Sequence, residues 1–192
     1  MDTILAPPPT MTTEEFLAWE PGDGMRWQLE NGYPEQMAPA AITHAIIQTA
    51  LAVALTNHLK AIGHPGVVMV EPGVIPRVMA HRNVRIPDVA IAARRSTKAE
   101  AVLQEPILMA EIISPSNTRE TWSNIYTYTS IPSVRDILVL QSESIGAEVY
   151  SRQADGSWPF EPVMVTDGDL VLPGIGFSAP LHNLYADTHL AG

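Results

Sequence analysis

The chain has 192 residues, 46% of them hydrophobic and 17% charged, which suits one globular domain with a real core and excludes a disordered chain. It has no cysteine, which excludes disulfide scaffolds, thiolate metal sites and thiol nucleophiles and is compatible with the cytoplasmic location we expect. A net charge of −10 argues against nucleic-acid binding by a uniform surface, yet six of the 11 basic residues (Arg77, Arg82, Arg85, Arg94, Arg95 and Lys98) fall between positions 77 and 98.

In chain order, MDTILAPPPT has neither a basic region nor a long apolar core, so it does not read as a signal peptide. Its three prolines predict a stiff arm over residues 1–10, ahead of a single domain over 11–192. Thr12 and Glu15 form a capping box that opens a short helix through Trp19. Residues 25–38 read as a hairpin around Asn31-Gly32. Thr43 is the expected cap of a long helix ending before Gly63, apolar over much of its circumference and therefore packed on a sheet. Strand-like runs follow at 67–70, 74–78, 86–92 and 107–113. Asn117 and Glu120 predict the cap of a helix over about 118–130, with Trp122, Tyr126 and Tyr128 read as helix packing. A buried strand at 137–140, a meander through the Asp155-Gly156 turn and the 160s, and a last helical turn in PLHNLYA complete the chain. No run approaches the ~18 apolar residues of a membrane span, so no membrane partner is expected. The pattern predicts an α/β fold with a mixed sheet.

Two carboxylates interrupt these apolar runs. Asp88 stands in RIPDVAIA and Glu111 in ILMAEIISPSN. If the two strands are neighbours, both side chains could converge beside the sheet. Burying them without a partner costs several kcal/mol, roughly, so convergence implies a cation or a proton between them. Mg²⁺ or Mn²⁺ fits such oxygen ligands and could activate a water towards a phosphodiester. The alternative is that Asp88 ends a turn and Glu111 pairs with an arginine such as Arg85. The arginines at 82, 85, 94 and 95 could contact a nucleic-acid backbone, or could belong to a solvated edge hairpin. Glu71 reads either as a third acid of the site or as a turn residue before Pro72-Gly73. Histidines 58, 64, 81, 182 and 189 have no zinc-ligand spacing.

TTEEFLAW, MRWQLENG, THAIIQTAL, RIPDVAIA, EIISPSN, IPSVRDILVL and IGFSAPLHNLY, taken in that order, resemble the Uma-type restriction-endonuclease family within the PD-(D/E)xK nuclease superfamily. The resemblance implies a restriction-endonuclease-like fold, a central mixed sheet flanked by helices, here with a C-terminal β-meander, and usually a homodimer. It implies Asp88 and Glu111 as metal ligands, with the Ile112 carbonyl as a further ligand. The lysine expected two residues after the second acid is replaced by Ile113, and the alternative lysine on the next helix by Asn124. Gln28 stands where relatives usually carry Glu. Asn124 and Gln28 are then the neutral residues expected to position water or phosphate. His44 resembles a recurrent family histidine that could bind phosphate at the helix N-terminus, or else be a satisfied structural residue. Two functions remain in view: a metal-dependent endonuclease acting on DNA, with RNA not excluded, or a weakened relative that binds nucleic acid or a protein without cutting. A small-ligand domain without a nucleic-acid role is a third.

Overall fold

The structure is a computed structural model that describes residues 10–95, 100–114 and 118–191, the side chain of Glu120 excepted. A short helix α1 (Thr13–Leu17) leads to a hairpin of β1 (Trp27–Glu30) and β2 (Tyr33–Gln36), then to the long helix α2 (Ile42–Ala61). Strands β3 (Val67–Val70), β4 (Val89–Ala92) and β5 (Pro106–Ile113) precede helix α3 (Thr118–Tyr128). After it come β6 (Asp136–Gln141), β7 (Ala147–Ser151), β8 (Val163–Val165) and a hairpin of β9 (Asp169–Leu172) and β10 (Phe177–Pro180).

Strands β3 to β8 form one sheet in sequence order. Only β5 and β6 pair in parallel, and α3 is the crossover between them. Every residue of β4 and β5 is buried because both sheet faces are covered, which is why these strands read as unbroken apolar runs. One face packs Val89, Ile91, Leu108, Ala110 and Ile112 against Ile47, Leu51, Leu55 and Leu59 of α2, with the β9–β10 hairpin alongside. The other packs Ala90, Met109, Ile113, Ile137 and Val139 against Ile125 and Tyr128 of α3. This is the predicted α/β fold with its mixed sheet flanked by helices. Among the described residues no helix is long and apolar enough to cross a membrane.

Several local expectations change. The run at 74–78 is not a strand: Val74 makes a single bridge to Arg85, and Pro76 lacks a ladder donor. Pro87 likewise delays β4 to Val89. The cap of α2 is Ala41, with no side-chain hydrogen bond, and α1 stops at Leu17. Helix α2 buries one stripe while Ile42 and Val53 face solvent. Trp122 and Tyr126 are exposed rather than packed; of the three α3 aromatics only Tyr128 is buried. The β9–β10 hairpin was not legible as a separate pair. The expected cap at Asn117 and the proline run at 7–9 lie outside the described residues.

The β9–β10 hairpin is tied to the main sheet at Gly174, whose N–H donates to Asp136 Oδ2 at 2.7 Å. A Cβ at position 174 would come within 2.6 Å of that oxygen and 2.7 Å of Arg135 Cβ. Gly174→Ala should therefore destabilise the fold by about 1–3 kcal/mol, the usual range for overpacking. Urea unfolding should show a lower midpoint with an unchanged slope.

Candidate active site

The register of β4 against β5 sets the site. Val89 pairs with Ala110 in an antiparallel ladder, so Asp88, one residue before β4, stands opposite Glu111 on the same sheet face. Both carboxylates are buried, Asp88 to 7% and Glu111 to 4% exposure. Both also line a cleft of about 860 Å³ between the first turn of α2, the end of β5 and α3. Each has local partners that offset its desolvation. Asp88 Oδ2 accepts the Ile112 N–H at 2.6 Å, and Oδ1 lies 2.9 Å from His44 Nε2. Glu111 Oε1 accepts from Tyr128 Oη at 2.6 Å and from Asn124 Nδ2 at 3.1 Å. Burial, then the charge of Glu111 and the hydrogen bond to it, push the Tyr128 phenol well above its ordinary range. The phenol therefore keeps its proton and acts as a donor.

Two ion pairs flank the carboxylates. Glu71 has a left-handed backbone, φ 52°, and its N–H donates to the Asp88 carbonyl at 3.1 Å. Gln48 bridges the same region, donating to the Asp88 carbonyl at 3.1 Å and to Glu71 Oε1 at 3.3 Å. The Glu71 carboxylate also pairs with Arg26. On the other side, Arg85 Nη1 lies 3.2 Å from Glu30 Oε2, while Ser123 Oγ donates to Glu30 Oε1 at 2.5 Å. Burial pushes both Glu30 and Glu71 up, but their hydrogen bonds and the neighbouring arginines outweigh it and hold both below the ordinary glutamate value.

The geometry can be set beside known proteins. The Uma2 family model, described as "Putative restriction endonuclease", matches residues 13–182. The chain belongs to the Uma2 family. An uncharacterized protein of Synechocystis sp. is 25% identical over 186 residues, covering 94% of each chain. A crystal structure from Anabaena variabilis, of "a putative nuclease belonging to DUF820", has a TM-score of 0.75 at 15% identity. That likeness covers 92% of this chain and 98% of the other, and it establishes a shared nuclease-like fold.

Of the residues singled out from the sequence, Asp88, Glu111, Asn124 and His44 meet at the Uma2 cleft, and Ile112 binds Asp88 through its N–H. Gln28 is fully buried on β1 and is not among the cleft-lining residues. The arginines disperse. Arg85 is only 1% exposed and lies inside, paired with Glu30 and beside Ser123, so it is no surface contact. Arg82 is exposed beside the β1–β2 turn. Arg94 pairs with Glu105 beyond the far end of β4, six residues or about 20 Å of strand from Asp88, and Arg95 follows it. Lys98 lies outside the described residues. Among the described residues, Arg82, Arg85 and Arg94 therefore do not form one patch at the site.

Sequence reasoning passed over Tyr128, Arg26, Gln48 and Glu30. Tyr128 carried a faint signal, being four residues after Asn124 and so on the same helix face. Arg26 and Glu30 lie within MRWQLENG, but nothing local identifies their partners, which come from distant segments.

A carboxylate held below its unfolded pKa stabilises the fold above that value, and this contribution is lost as pH falls through the folded pKa. Glu30 and Glu71 are both shifted down from 4.5, so stability should decline as pH drops from 4.5 through their lowered values. Chemical unfolding across pH 3–6, roughly the window set by these groups, should give a shallower acid slope for Glu30→Gln than for the parent.

Proposed function

We propose that the protein is a metal-dependent DNA endonuclease that hydrolyses phosphodiester bonds in this cleft. The observation that carries the reading is the pair of buried carboxylates, Asp88 and Glu111, opposed across two neighbouring strands at the cleft wall. A carboxylate has about four lone-pair positions, so the Asp88 hydrogen bonds leave capacity for a cation. Oxygen donors of this kind suit Mg²⁺ or Mn²⁺, which accept one or two carboxylates and retain several waters. Among the described residues no group of three or more His, Asp or Glu is placed to hold a metal ion, so an ion here would rest on the two carboxylates and its own waters. Asp88 and Glu111 would hold the ion, with the Ile112 carbonyl as a further ligand. When bound, it would lower the pKa of water and offset charge on the phosphoryl oxygens. RNA offers the same phosphodiester chemistry, and DNA is the reading we favour.

The chain's own residues have definable parts. In hydrolysis the water oxygen bonds to phosphorus as the bond to the leaving oxygen breaks, and the water's proton ends on that leaving oxygen. Asn124 Nδ2 holds Glu111, while its buried Oδ1 has no partner among the described residues and belongs to a cleft-lining side chain. That oxygen can accept a hydrogen bond from the attacking water and so orient it. His44 orients Asp88, and Tyr128 orients Glu111. Calorimetry should detect Mg²⁺ or Mn²⁺ binding that Asp88→Ala and Glu111→Ala each remove, together with metal-dependent plasmid nicking. Unchanged metal binding in either variant would rule out the shared site.

Asn124 also supports a second reading, binding without cleavage, because a dipole stands where the resemblance implies a lysine. Loss of one preorganised group typically costs ~3 kcal/mol of transition-state stabilisation, or about a hundredfold in rate. Native nicking should accordingly be slow, and Asn124→Lys should accelerate it if the ammonium reaches the reacting phosphate. Rapid native cleavage, or slower cleavage by a folded Asn124→Lys variant, would make Asn124 itself the better group. DNA binding with no nicking at any metal concentration would favour the second reading.

A further inference from the structure

The cleft is rich in negative charge and poor in positive charge. Asp88, Glu111 and Glu143 line it, and among the described lining residues Arg26 is the one arginine or lysine. A phosphodiester approaching this wall meets repulsion unless a cation receives it. Arg26 is positioned for that task. Its carbonyl accepts the Met37 N–H at 2.9 Å, which fixes it at the open end of the β1–β2 hairpin, and its side chain is 39% exposed. The first turn of α2 contributes Ala41, Thr43 and His44 to the same cleft, and its N-cap makes no side-chain hydrogen bond. A helix start of this kind favours an anion beside the arginine.

The guanidinium is not free, because it pairs with Glu71. Glu71 is itself tethered, by Gln48 to its side chain and by its own N–H to the Asp88 carbonyl. The tether keeps the Glu71 carboxylate beside Arg26 and on the backbone that carries Asp88. A part-exposed ion pair contributes little to stability, so a competing dianion-like or diester oxygen can displace it at small cost. A guanidinium also presents parallel N–H donors that match two phosphate oxygens at once.

We propose that Arg26 is the phosphate-binding cation of the cleft, with Glu71 occupying it until a phosphodiester takes over the pairing. The choice of a nucleic-acid ligand rests on the nuclease reading above. Arg26 would thus supply, from the hairpin, a positive charge that neither Ile113 nor Asn124 provides. Glu71 sets how readily that charge becomes available. A pairing that served structure alone would respond alike to loss of either partner, whereas a competing counter-ion gives opposite signs.

The test is binding of a fluorescent DNA duplex to the full chain in EDTA, over a range of salt, with folding monitored by circular dichroism. Arg26→Ala should weaken binding roughly ten- to a hundredfold and lower the salt slope by about one. Arg26→Lys should recover part of that loss. Glu71→Gln, which retains a polar side chain beside Gln48, should tighten binding several-fold, and the double variant should behave as Arg26→Ala. An unchanged salt slope in folded Arg26→Ala, or weakened binding in Glu71→Gln, would overturn the proposal. If the parent protein binds no duplex at any salt, either in EDTA or with non-catalytic Ca²⁺, the nuclease reading fails, and inorganic phosphate then decides the role of Arg26. A phosphate-dependent shift of the Arg26 Nε NMR signal, larger in Glu71→Gln, would sustain the anion site; no shift would overturn it.

Discussion

A carboxylate moved out of water must find hydrogen-bond donors or opposite charge, and this protein makes that move twice in adjacent positions. The antiparallel pairing of Val89 with Ala110 determines that Asp88 and Glu111 share a face and an end of the sheet. Everything around them answers that constraint. Helix α2 brings His44 and Gln48, α3 brings Asn124 and Tyr128, and β5 turns its own Ile112 N–H towards Asp88. A slip of one residue in the β4–β5 register would send one carboxylate to the opposite sheet face, among the leucines of α2.

The sheet is mixed at β5 and β6 because a helix, and not a hairpin, joins them. The crossover through α3 returns the chain parallel to β5, so the helix lies over the face that holds Glu111. Its inner positions, Thr121, Asn124, Ile125 and Tyr128, recur at intervals of three and four and change from polar beside the cleft to apolar over the core. The exposed Trp122 and Tyr126 occupy the opposite side of that helix.

Much of this was readable in the sequence because it depends on local pattern. Buried strands announce themselves by apolar runs, and a lone acid within one is conspicuous, so Asp88 and Glu111 could be named from RIPDVAIA and ILMAEIISPSN. The Asn31-Gly32 hairpin was similarly legible, because both residues adopt the positive φ that its turn requires. Partner choice was not. The pairings of Arg85 with Glu30 and of Arg26 with Glu71 join segments 55 and 45 residues apart by number, and no periodicity encodes them. For the same reason closeness in sequence did not decide between a backbone-contacting patch and a solvated edge: Arg85 lies inside against Glu30, and Arg94 pairs with Glu105 beyond the far end of β4. Trp122 and Tyr126 misled because aromatic character alone does not say which side of a helix faces the sheet.

The left-handed backbone at Glu71 has an evolutionary consequence. A side chain with a Cβ held at φ 52° is disfavoured by about 1 kcal/mol or more relative to glycine, which adopts that conformation freely. Position 71 thus sets two pressures against each other, since the residue best suited to the chain path has no carboxylate to offer Arg26. A lineage that retains the glutamate carries a small standing load for the sake of charge. One that abandons the cleft can relax the backbone with a glycine at that position, at the loss of the contacts to Arg26 and Gln48.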